Sequence, residues 1–573
     1  MNNLNTPYGG KLVNLMAEIN LTEEIKTQIP KLKSLDLKLR QIYDVEMFLN
    51  GAFSPLSGFM NRLDYERVCQ EMRLTNDILW PIPITLDIEV AFAKSIDKGE
   101  KIALRDQEGI VLAILEVSEI WRPDKLLESK LVFGTNDIVH PGVNYLLNET
   151  GDYYIGGKLI GLELPKYYDF NELRFSPLRL REQLAKQGWG KVVAFQTRNP
   201  MHRAHVELTL SAMKKTGANL LINPVVGTTK PGDIDHYTRV RIYQKLINKY
   251  QKGTAMISLL PLAMRMAGPR EALWHMIIRK NYGISHLIIG RDHAGPGKNF
   301  EGIDFYKPYD AQIIAEKYKT EIGIEIVPFQ KISYVPEYNK YFTEDELPKD
   351  IKPRNISGSD LRARLEEGRE LPKWFTYPEV TKELRRTYRT KNKQGVVIFF
   401  TGLSGAGKST IANALRVRLL EKWNRAITLL DGDIVRKHLS SELGFSKEHR
   451  NLNILRIGFV ASEIAHHGGI AICASISPYD KIRKEVRNMT NSAGGIFILI
   501  YVATSLKICE QRDRKGLYQA ARLKKIKQFT GISDPYEIPT DSELTLHTEQ
   551  NSVNELVDVI LGYLNDKGIY KTR

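Results

Sequence analysis

The chain has 573 residues, enough for three or four domains, and its 42% apolar and 26% charged residues are the balance of ordinary globular protein. A formal net charge of +15 suits anionic ligands and makes nucleic acid the rival partner, but no Lys/Arg block alternates with aromatics, and the spread-out charge also fits a solvated surface. Cys69, Cys473 and Cys509 lie far apart and form no CxxC, which argues for a reducing compartment without a disulfide frame or structural metal. The start, MNNLNTPYGG, has neither the basic region nor the apolar core of a signal peptide, and the apolar run 496–503 is too short to span a bilayer. The expectation is a soluble cytoplasmic protein with no membrane partner.

Residues 1–175 carry short β-like runs at 82–88, 101–105 and 110–117, broken by Gly, Asp and Pro, which predict a small β-rich barrel with some helices. Within them GAFSPLSGFM (51–60) names no chemistry. From 176 to 330 apolar runs at 219–226, 254–262 and 285–289 alternate with helical stretches at 202–216, 236–250 and 269–282, the pattern of a parallel, doubly wound sheet.

The chemistry gathers where the apolar run 192–195 passes into QTRNPMHRAH (196–205). Asn199 can cap free N–H groups and Pro200 suits a first helical position, so a helix is expected to open at about Met201. Its N-terminus would point N–H groups into the crevice at the strand's carboxyl end, where open α/β sheets bind phosphates. Arg198, His202 and His205 stand at the same place. Read alone, the two histidines are a surface pair or a metal pair, although HRAH lacks both the Glu and the four-residue step of HExxH. A second turn, GRDHAGPGK (290–298), follows the run 285–289, and ISGSDLRARLEEG (356–368) lies further on. Residues 331–394 read as a small domain ending in a charged linker at 380–395.

QTRNPMHRAH is very close to the signature of the ATP sulfurylase family, whose catalytic domain is a Rossmann-like HxGH nucleotidyltransferase. GRDHAGPGK resembles the second half of that site, ISGSDLRARLEEG the ISxxxxR closure of the superfamily, and GAFSPLSGFM the family's opening motif beside a PUA-like barrel. The resemblance implies that Gln196, Arg198 and the Ala294 backbone bind sulfate, and that Thr197, Arg198 and Asn199 form the catalytic triplet. It implies too that His202 and His205 stabilise charge on the phosphates, that Gly290, Arg291, Asp292 and His293 contact the nucleotide, that Ile332 meets the adenine and that Phe329 senses ATP.

A second chemical unit spans 395–573. The buried-strand run 396–400 leads into GLSGAGKST, and this GxxxxGK[ST] stands in the strand, loop and helix context that such a loop requires. Backbone N–H groups of Gly402, Leu403, Ser404, Gly405, Ala406 and Gly407 would wrap phosphates together with Thr410, Lys408 would reach the β and γ phosphates, and Ser409 could ligate Mg²⁺. Asp431 and Asp433 of DGD end the next strand, where carboxylates could hold Mg²⁺ waters or accept a proton. LSGAGKST, DGDIVR, GFSKEHRNLNILRIG, ISPY, RDRKGLY and FTGISDPYE in this order resemble adenylylsulfate (APS) kinase. That likeness implies that Phe445 and Phe529 stack on the adenine of APS, that Arg436, Arg450, Asn453 and Lys527 bind APS, that Ser477 matches a serine phosphorylated in some relatives, and that 515–518 lie in a lid. The sequence departs from the family at Ile434, Leu455, Arg514 and Phe459.

The two resemblances together imply sulfate activation. ATP and sulfate would give APS and pyrophosphate, and APS would be phosphorylated at its 3′-hydroxyl to PAPS, with Mg²⁺ accompanying ATP, in a homo-oligomer that has no nucleic-acid partner. The alternatives are a sulfurylase run in reverse and a C-terminal domain that regulates without catalysing.

Overall fold

The computed structural model describes residues 4–229, 233–347, 351–423, 425–513, 516–526 and 528–570, the side chains of 422 and 433 excepted. The chain divides into two compact units, Met1–Ser357 with Leu371–Leu384, and Gly358–Glu370 with Arg385–Arg573.

The first unit begins with a six-stranded mixed sheet of β1 (Lys33–Asp36), β2 (Gly58–Phe59), β3 (Leu86–Ile88), β4 (Lys101–Arg105), β5 (Val111–Trp121) and β6 (Tyr153–Gly161). β4, β5 and β6 run antiparallel, β2 and β3 both pair with β6, and β1 joins β4 in parallel. The run expected at 82–88 supplies only β3, because Pro81 and Pro83 have no N–H to give to a ladder.

Next come β7 (Val192–Thr197), β8 (Asn219–Pro224), β9 (Ala255–Ile257), β10 (His286–Ile289) and β11 (Glu325–Pro328), all parallel, in the spatial order β11-β10-β7-β8-β9. The chain starts at β7, winds outward through β8 and β9, then returns to β10 on the other flank. The order therefore reverses between β7 and β10, and a crevice opens at their carboxyl ends, where this class of sheet binds ligands. Both expected motif loops leave from those two ends. β12 (Ile332–Val335) and β13 (Lys340–Thr343) form a separate antiparallel hairpin.

Gly268–Asn281 is a helix buried along its length except at Pro269, Arg270 and Lys280. Its Asn281 fastens the GAFSPLSGFM stretch: Nδ2 donates to the carbonyls of Ala52 and Ser54, both at 2.9 Å, and Oδ1 accepts from Tyr8 N–H at 2.9 Å. Trp274 packs against Phe53 with ring centroids 5.4 Å apart. The motif that named no chemistry is thus a support for the helix behind the crevice.

Two sequence expectations fail in this unit. The helix after QTRNP opens at Arg203 rather than Met201, and its N-cap is His202 rather than Asn199. The charged stretch at 380–395 is not simply a linker, since Pro378–Thr387 is helical. Val380 and Leu384, four residues apart, are buried, and the buried Glu383 pairs with Arg241 at 2.9 Å and Lys245 at 3.4 Å, so one short stripe anchors a highly charged helix.

The second unit holds a five-stranded parallel sheet, ordered β15-β16-β14-β17-β18, from β14 (Val396–Thr401), β15 (Ile427–Asp431), β16 (Ile470–Ala474), β17 (Ile496–Val502) and β18 (Leu544–Leu546). β14 is wholly buried because it has helices on both faces. Val396, Ile398 and Phe400 pack with Ile411, Leu415 and Leu419 of the helix Lys408–Lys422, while Val397 and Phe399 pack with Ile454, Ile457 and Ala461 of the helix Lys447–His466. ISGSDLRARLEEG forms the helix Gly358–Glu366 and is counted with this unit. Among the described residues no helix is long and apolar enough to cross a membrane.

Asn281→Ala would strand two buried carbonyls and an N–H group, which costs roughly 2–4 kcal/mol. The expected outcome is a lower urea midpoint for the first unit, read by tryptophan fluorescence. A midpoint equal to that of the unsubstituted chain would refute this anchor.

Candidate active sites

Gln196 and Thr197 close β7, and the backbone then turns on Thr197, whose Oγ1 donates to the Asn199 carbonyl at 2.9 Å and accepts from Asn199 N–H at 3.1 Å. Tyr243 O–H donates to the same carbonyl at 2.7 Å. Arg198 lies across the crevice: Nη1 meets both carboxylate oxygens of Asp233 at 2.7 Å, and Nη2 donates to the Gly295 carbonyl at 3.3 Å. This links the loop after β7 to the loop after β10. Asp233 escaped the sequence reading because an ion-pair partner 35 residues away leaves no local pattern.

His202 and His205 are joined to the backbone in a capping box. His202 N–H donates to His205 Nδ1 at 3.1 Å, so an imidazole does the work usually done by Glu or Gln. His202 Nδ1 lies 2.9 Å from Thr376 Oγ1, and its ring packs on Phe375 at 4.3 Å. Burial lowers the His202 pKa to about 3, with His205 adding to the effect, and burial alone lowers that of His205 to about 4. At neutral pH both rings are uncharged hydrogen-bonding groups beside a helix N-terminus, which differs from a fixed cationic pair.

After β10, Gly290 is open, while Arg291 and Asp292 are exposed. Ala294 is left-handed at φ 56° and its carbonyl accepts from Gly268 N–H at 3.2 Å. Gly295 lies against the Asp292 carboxylate, which a side chain at 295 would displace. His293 Nε2 is 3.0 Å from Nδ1 of His275, which in turn lies 3.5 Å from the Gln196 side chain. His275 and Glu271 are groups the sequence reading missed, hidden inside an apolar helix. Phe329 is buried and its N–H donates to the Ile289 carbonyl at 3.1 Å, while Ile332 opens β12.

In the second unit the Gly-rich loop joins β14 to the helix Lys408–Lys422. Gly402 at φ 147° cannot be replaced without crowding, since a Cβ there would meet the Val502 carbonyl at 2.6 Å. Lys408 Nζ donates to the loop carbonyls of Gly402 at 3.0 Å and Leu403 at 2.7 Å, and Ser409 Oγ donates to Asp431 Oδ2 at 2.8 Å. A hydroxyl and a carboxylate paired at a phosphate loop are oxygen donors of the kind that suit Mg²⁺. Asp433 lies in the helix Gly432–Leu439 and its side chain is outside the described atoms, as is all of Lys527.

Arg436 spans to the carbonyls of Leu443 and Gly444 at 2.8 and 2.9 Å, with its guanidinium 4.5 Å from the Phe445 ring centre. Arg450 reaches Thr530 Oγ1 at 2.7 Å, Tyr479 at 3.0 Å and Asp534 at 2.6 Å. Asn453 is buried with Oδ1 unpartnered among the described residues. Phe529 meets Tyr518 edge-on at 5.0 Å, and Tyr518 O–H donates to the Ser404 carbonyl at 2.8 Å, so the segment at 518 touches the phosphate loop. Ser477 is left-handed at φ 43° and 1% exposed, with Oγ unpartnered among the described residues, while its carbonyl accepts from Thr401 at 3.1 Å and Arg483 at 2.8 Å. Among the described residues no cluster of three or more His, Cys, Asp or Glu is placed to hold a metal.

Two parallel sheets, each with phosphate-binding geometry at its strand ends, define an enzyme of nucleotide chemistry. Family models match a PUA-like domain at residues 5–164, ATP-sulfurylase at 171–387 and adenylylsulphate kinase at 394–547. A sulfate adenylyltransferase of Chaetomium globosum is 50% identical over 569 residues, 99% of each chain, and one of Neurospora crassa is 49% identical over the same span. A solved structure described as a hexameric APS kinase from Thiobacillus denitrificans covers 99% of this chain and 100% of its own, at 36% identity and a TM-score of 0.81. The chain belongs to the sulfate adenylyltransferase family, in a form with both a sulfurylase domain and an APS kinase domain.

The depressed histidines fix a pH dependence. Unfolded imidazoles titrate near 6.5, so below that pH the unfolded chain binds protons that His202 and His205 refuse until about pH 3–4. Stability of the first unit is full above pH 6.5 and falls as pH falls, by about 1.4 kcal/mol per pH unit for each histidine. The expected urea midpoint drops between pH 7.5 and 5, and drops less in His205→Gln. A midpoint independent of pH would contradict the neutral pair.

Proposed function

We propose that the chain activates sulfate in two successive reactions. In the first, a sulfate oxygen attacks the α-phosphorus of ATP in line, the bond to the β-phosphate breaks, and APS and pyrophosphate leave. Gln196, Arg198 and the Ala294 backbone hold sulfate, while Gly290, Arg291, Asp292 and His293 hold the nucleotide with Ile332 against its adenine and Phe329 nearby. Thr197, Arg198 and Asn199 position the reacting groups, and the N–H groups of neutral His202 and His205 take up charge growing on the phosphates. The work is positioning plus electrostatics, since no side chain of QTRNP needs to form a covalent bond.

In the second reaction the 3′-hydroxyl of APS attacks the γ-phosphorus of another ATP, giving PAPS and ADP. The phosphate loop 402–410 cradles the phosphates, Lys408 moves from its loop carbonyls onto them, and Asp431 and Asp433 serve the attacking hydroxyl and the metal. Arg436, Phe445, Arg450, Asn453, Lys527 and Phe529 hold APS, and Ser477 shapes the loop end behind the phosphates. Mg²⁺ with Ser409 would neutralise phosphate charge when bound. The observation that carries this reading is the Ser409–Asp431 hydrogen bond beside Lys408, which keeps the phosphate-transfer groups of a kinase together.

The domain limits of this reading are 1–175, 176–330, 331–394 and 395–573, in a cytoplasmic homo-oligomer that binds neither nucleic acid nor membrane. A second reading, a regulatory C-terminal domain, is favoured by apolar Ile434 and Phe459, 56% and 61% exposed, where kinases of the family carry polar residues.

Radiolabelled sulfate with MgATP and pyrophosphatase separates them. Labelled PAPS is expected from the unsubstituted chain, and Lys408→Ala should lower its yield at least about 100-fold while APS still forms. APS without PAPS from the unsubstituted chain would establish the regulatory reading, and no labelled product would overturn the forward direction.

A further inference from the structure

Glu271 and His275 are both wholly buried on the helix Gly268–Asn281, directly behind the crevice. Glu271 accepts hydrogen bonds from the backbone N–H of Arg265 at 3.0 Å and of Ala267 at 2.9 Å, and its Oε1 lies 3.2 Å from His275 Nε2. Burial alone would raise its pKa, but the bonds from His275 and the two backbone groups outweigh burial and hold it below the usual carboxylate range. An ionised carboxylate only accepts, so His275 presents Nε2–H to it.

That assignment propagates. Burial lowers the pKa of His275 despite the carboxylate, and burial lowers that of His293, with the charge of buried Arg279 acting in the same direction on both. Both rings are therefore neutral. With its proton on Nε2, His275 has a lone pair on Nδ1, and His293 must donate its own Nε2–H across the 3.0 Å between them.

Gln196 then sits in the wrong rotamer for its neighbour. Its Nε2 is 3.5 Å from His275 Nε2, donor against donor, while its Oε1 is buried without a hydrogen-bond partner among the described residues. A half-turn of the carboxamide removes the clash of donors, because oxygen and nitrogen occupy equivalent places. The oxygen then faces the His275 N–H, and the N–H₂ takes the buried position of Oε1, where it has two protons to offer. An acceptor-only oxyanion is the ligand that such a position suits.

We propose that Glu271 and His275 are positioning residues for the oxyanion of the first reaction: through one directed chain of hydrogen bonds they turn the Gln196 N–H₂ toward sulfate and fix the His293 tautomer in the nucleotide loop. The proposal rests on the reading of Gln196 as a sulfate ligand given above.

The test is a double-mutant cycle on the full-length chain, measuring sulfate-dependent pyrophosphate release for Gln196→Ala, His275→Phe, the pair together, and His275→Gln. His275→Phe should raise the sulfate KM about tenfold with the ATP KM within about twofold, and add nothing in the Gln196→Ala background. His275→Gln, which still donates to Glu271, should recover the sulfate KM to within about threefold. Equal rises in both KM values, or a full additional rise in the Gln196→Ala background, overturn the proposal. A sulfate KM unmoved by Gln196→Ala instead overturns the sulfate-ligand reading beneath it. Imidazole ¹⁵N shifts of the unsubstituted chain, labelled at histidine, do not depend on any variant folding: Nε2–H in His275 and His293 is expected, and Nδ1–H in either sinks the idea.

Discussion

A helix buried on almost every face can serve its polar groups only with protein partners, because water cannot reach them and an unmade hydrogen bond costs more than a made one returns. The helix Gly268–Asn281 meets that demand at Glu271 and Asn281, whereas Trp274 Nε1 and the Arg279 guanidinium stay unpartnered among the described residues. At its start Glu271 takes the N–H groups of Arg265 and Ala267 and so fixes the chain that enters the helix; at its end Asn281 takes the carbonyls of Ala52 and Ser54 and so fixes the N-terminal sheet domain. Between them His275 reaches out to His293. Glu271, His275 and Asn281 thereby connect this helix to the crevice loop and the N-terminal sheet, and Arg265 adds a buried ion pair to Asp44 at 2.6 Å that ties the same segment to the first domain. Removing one partner of such a pair leaves an uncompensated charge, which makes the connection costly to break even where its net stabilisation is small.

The two units solve one problem with different materials. Both bring a parallel strand, a loop and a helix N-terminus together, the arrangement in which aligned N–H groups and the helix dipole favour an anion. In the second unit the loop is glycine-rich and the cation is Lys408, held on loop carbonyls. The first unit has a tight turn built on Thr197 and two neutral imidazoles, His202 buried and His205 half-buried. A neutral imidazole donates without carrying charge of its own, so it interacts most strongly when negative charge accumulates, whereas a lysine attracts phosphate at every stage. This difference fits the two reactions proposed above, a nucleotidyl transfer in the first unit and a phosphoryl transfer in the second.

Much of this was legible in the sequence wherever the signal was local. The run 192–195, the GxxxxGK[ST] loop and the alternation of strands and helices from 192 to 289 rest on periodicity and glycine spacing, and the structure places each of them in a parallel sheet. Local signals misled where tertiary contacts decided. Asn199–Pro200 reads as a helix start, yet the Asn199 carbonyl is taken by Thr197 and Tyr243 and the helix waits for the histidine capping box. The stretch from 380 has too many charges for an apolar stripe, but Val380 and Leu384 with a paired Glu383 suffice. Asp233 and the Glu271–His275 pair could not be read at all, because a carboxylate that meets an arginine or histidine across a fold leaves no periodic trace.

The departures at Ile434, Leu455 and Phe459 acquire meaning only from their places in the second unit. Leu455 and Phe459 are four residues apart on the helix Lys447–His466, hence on one face, with Leu455 packed on the core and Phe459 61% exposed. Ile434 is 56% exposed on the helix Gly432–Leu439, while Lys408 and the Ser409–Asp431 pair are engaged at the phosphate loop. An outward apolar side chain costs little stability in either position, so these substitutions are tolerated by the fold whatever they do to rate. None of the three lies in the loop 402–410 or in the Ser409–Asp431 pair, so they leave in place the groups proposed to transfer phosphate and bear instead on the two helices that carry Arg436, Arg450 and Asn453.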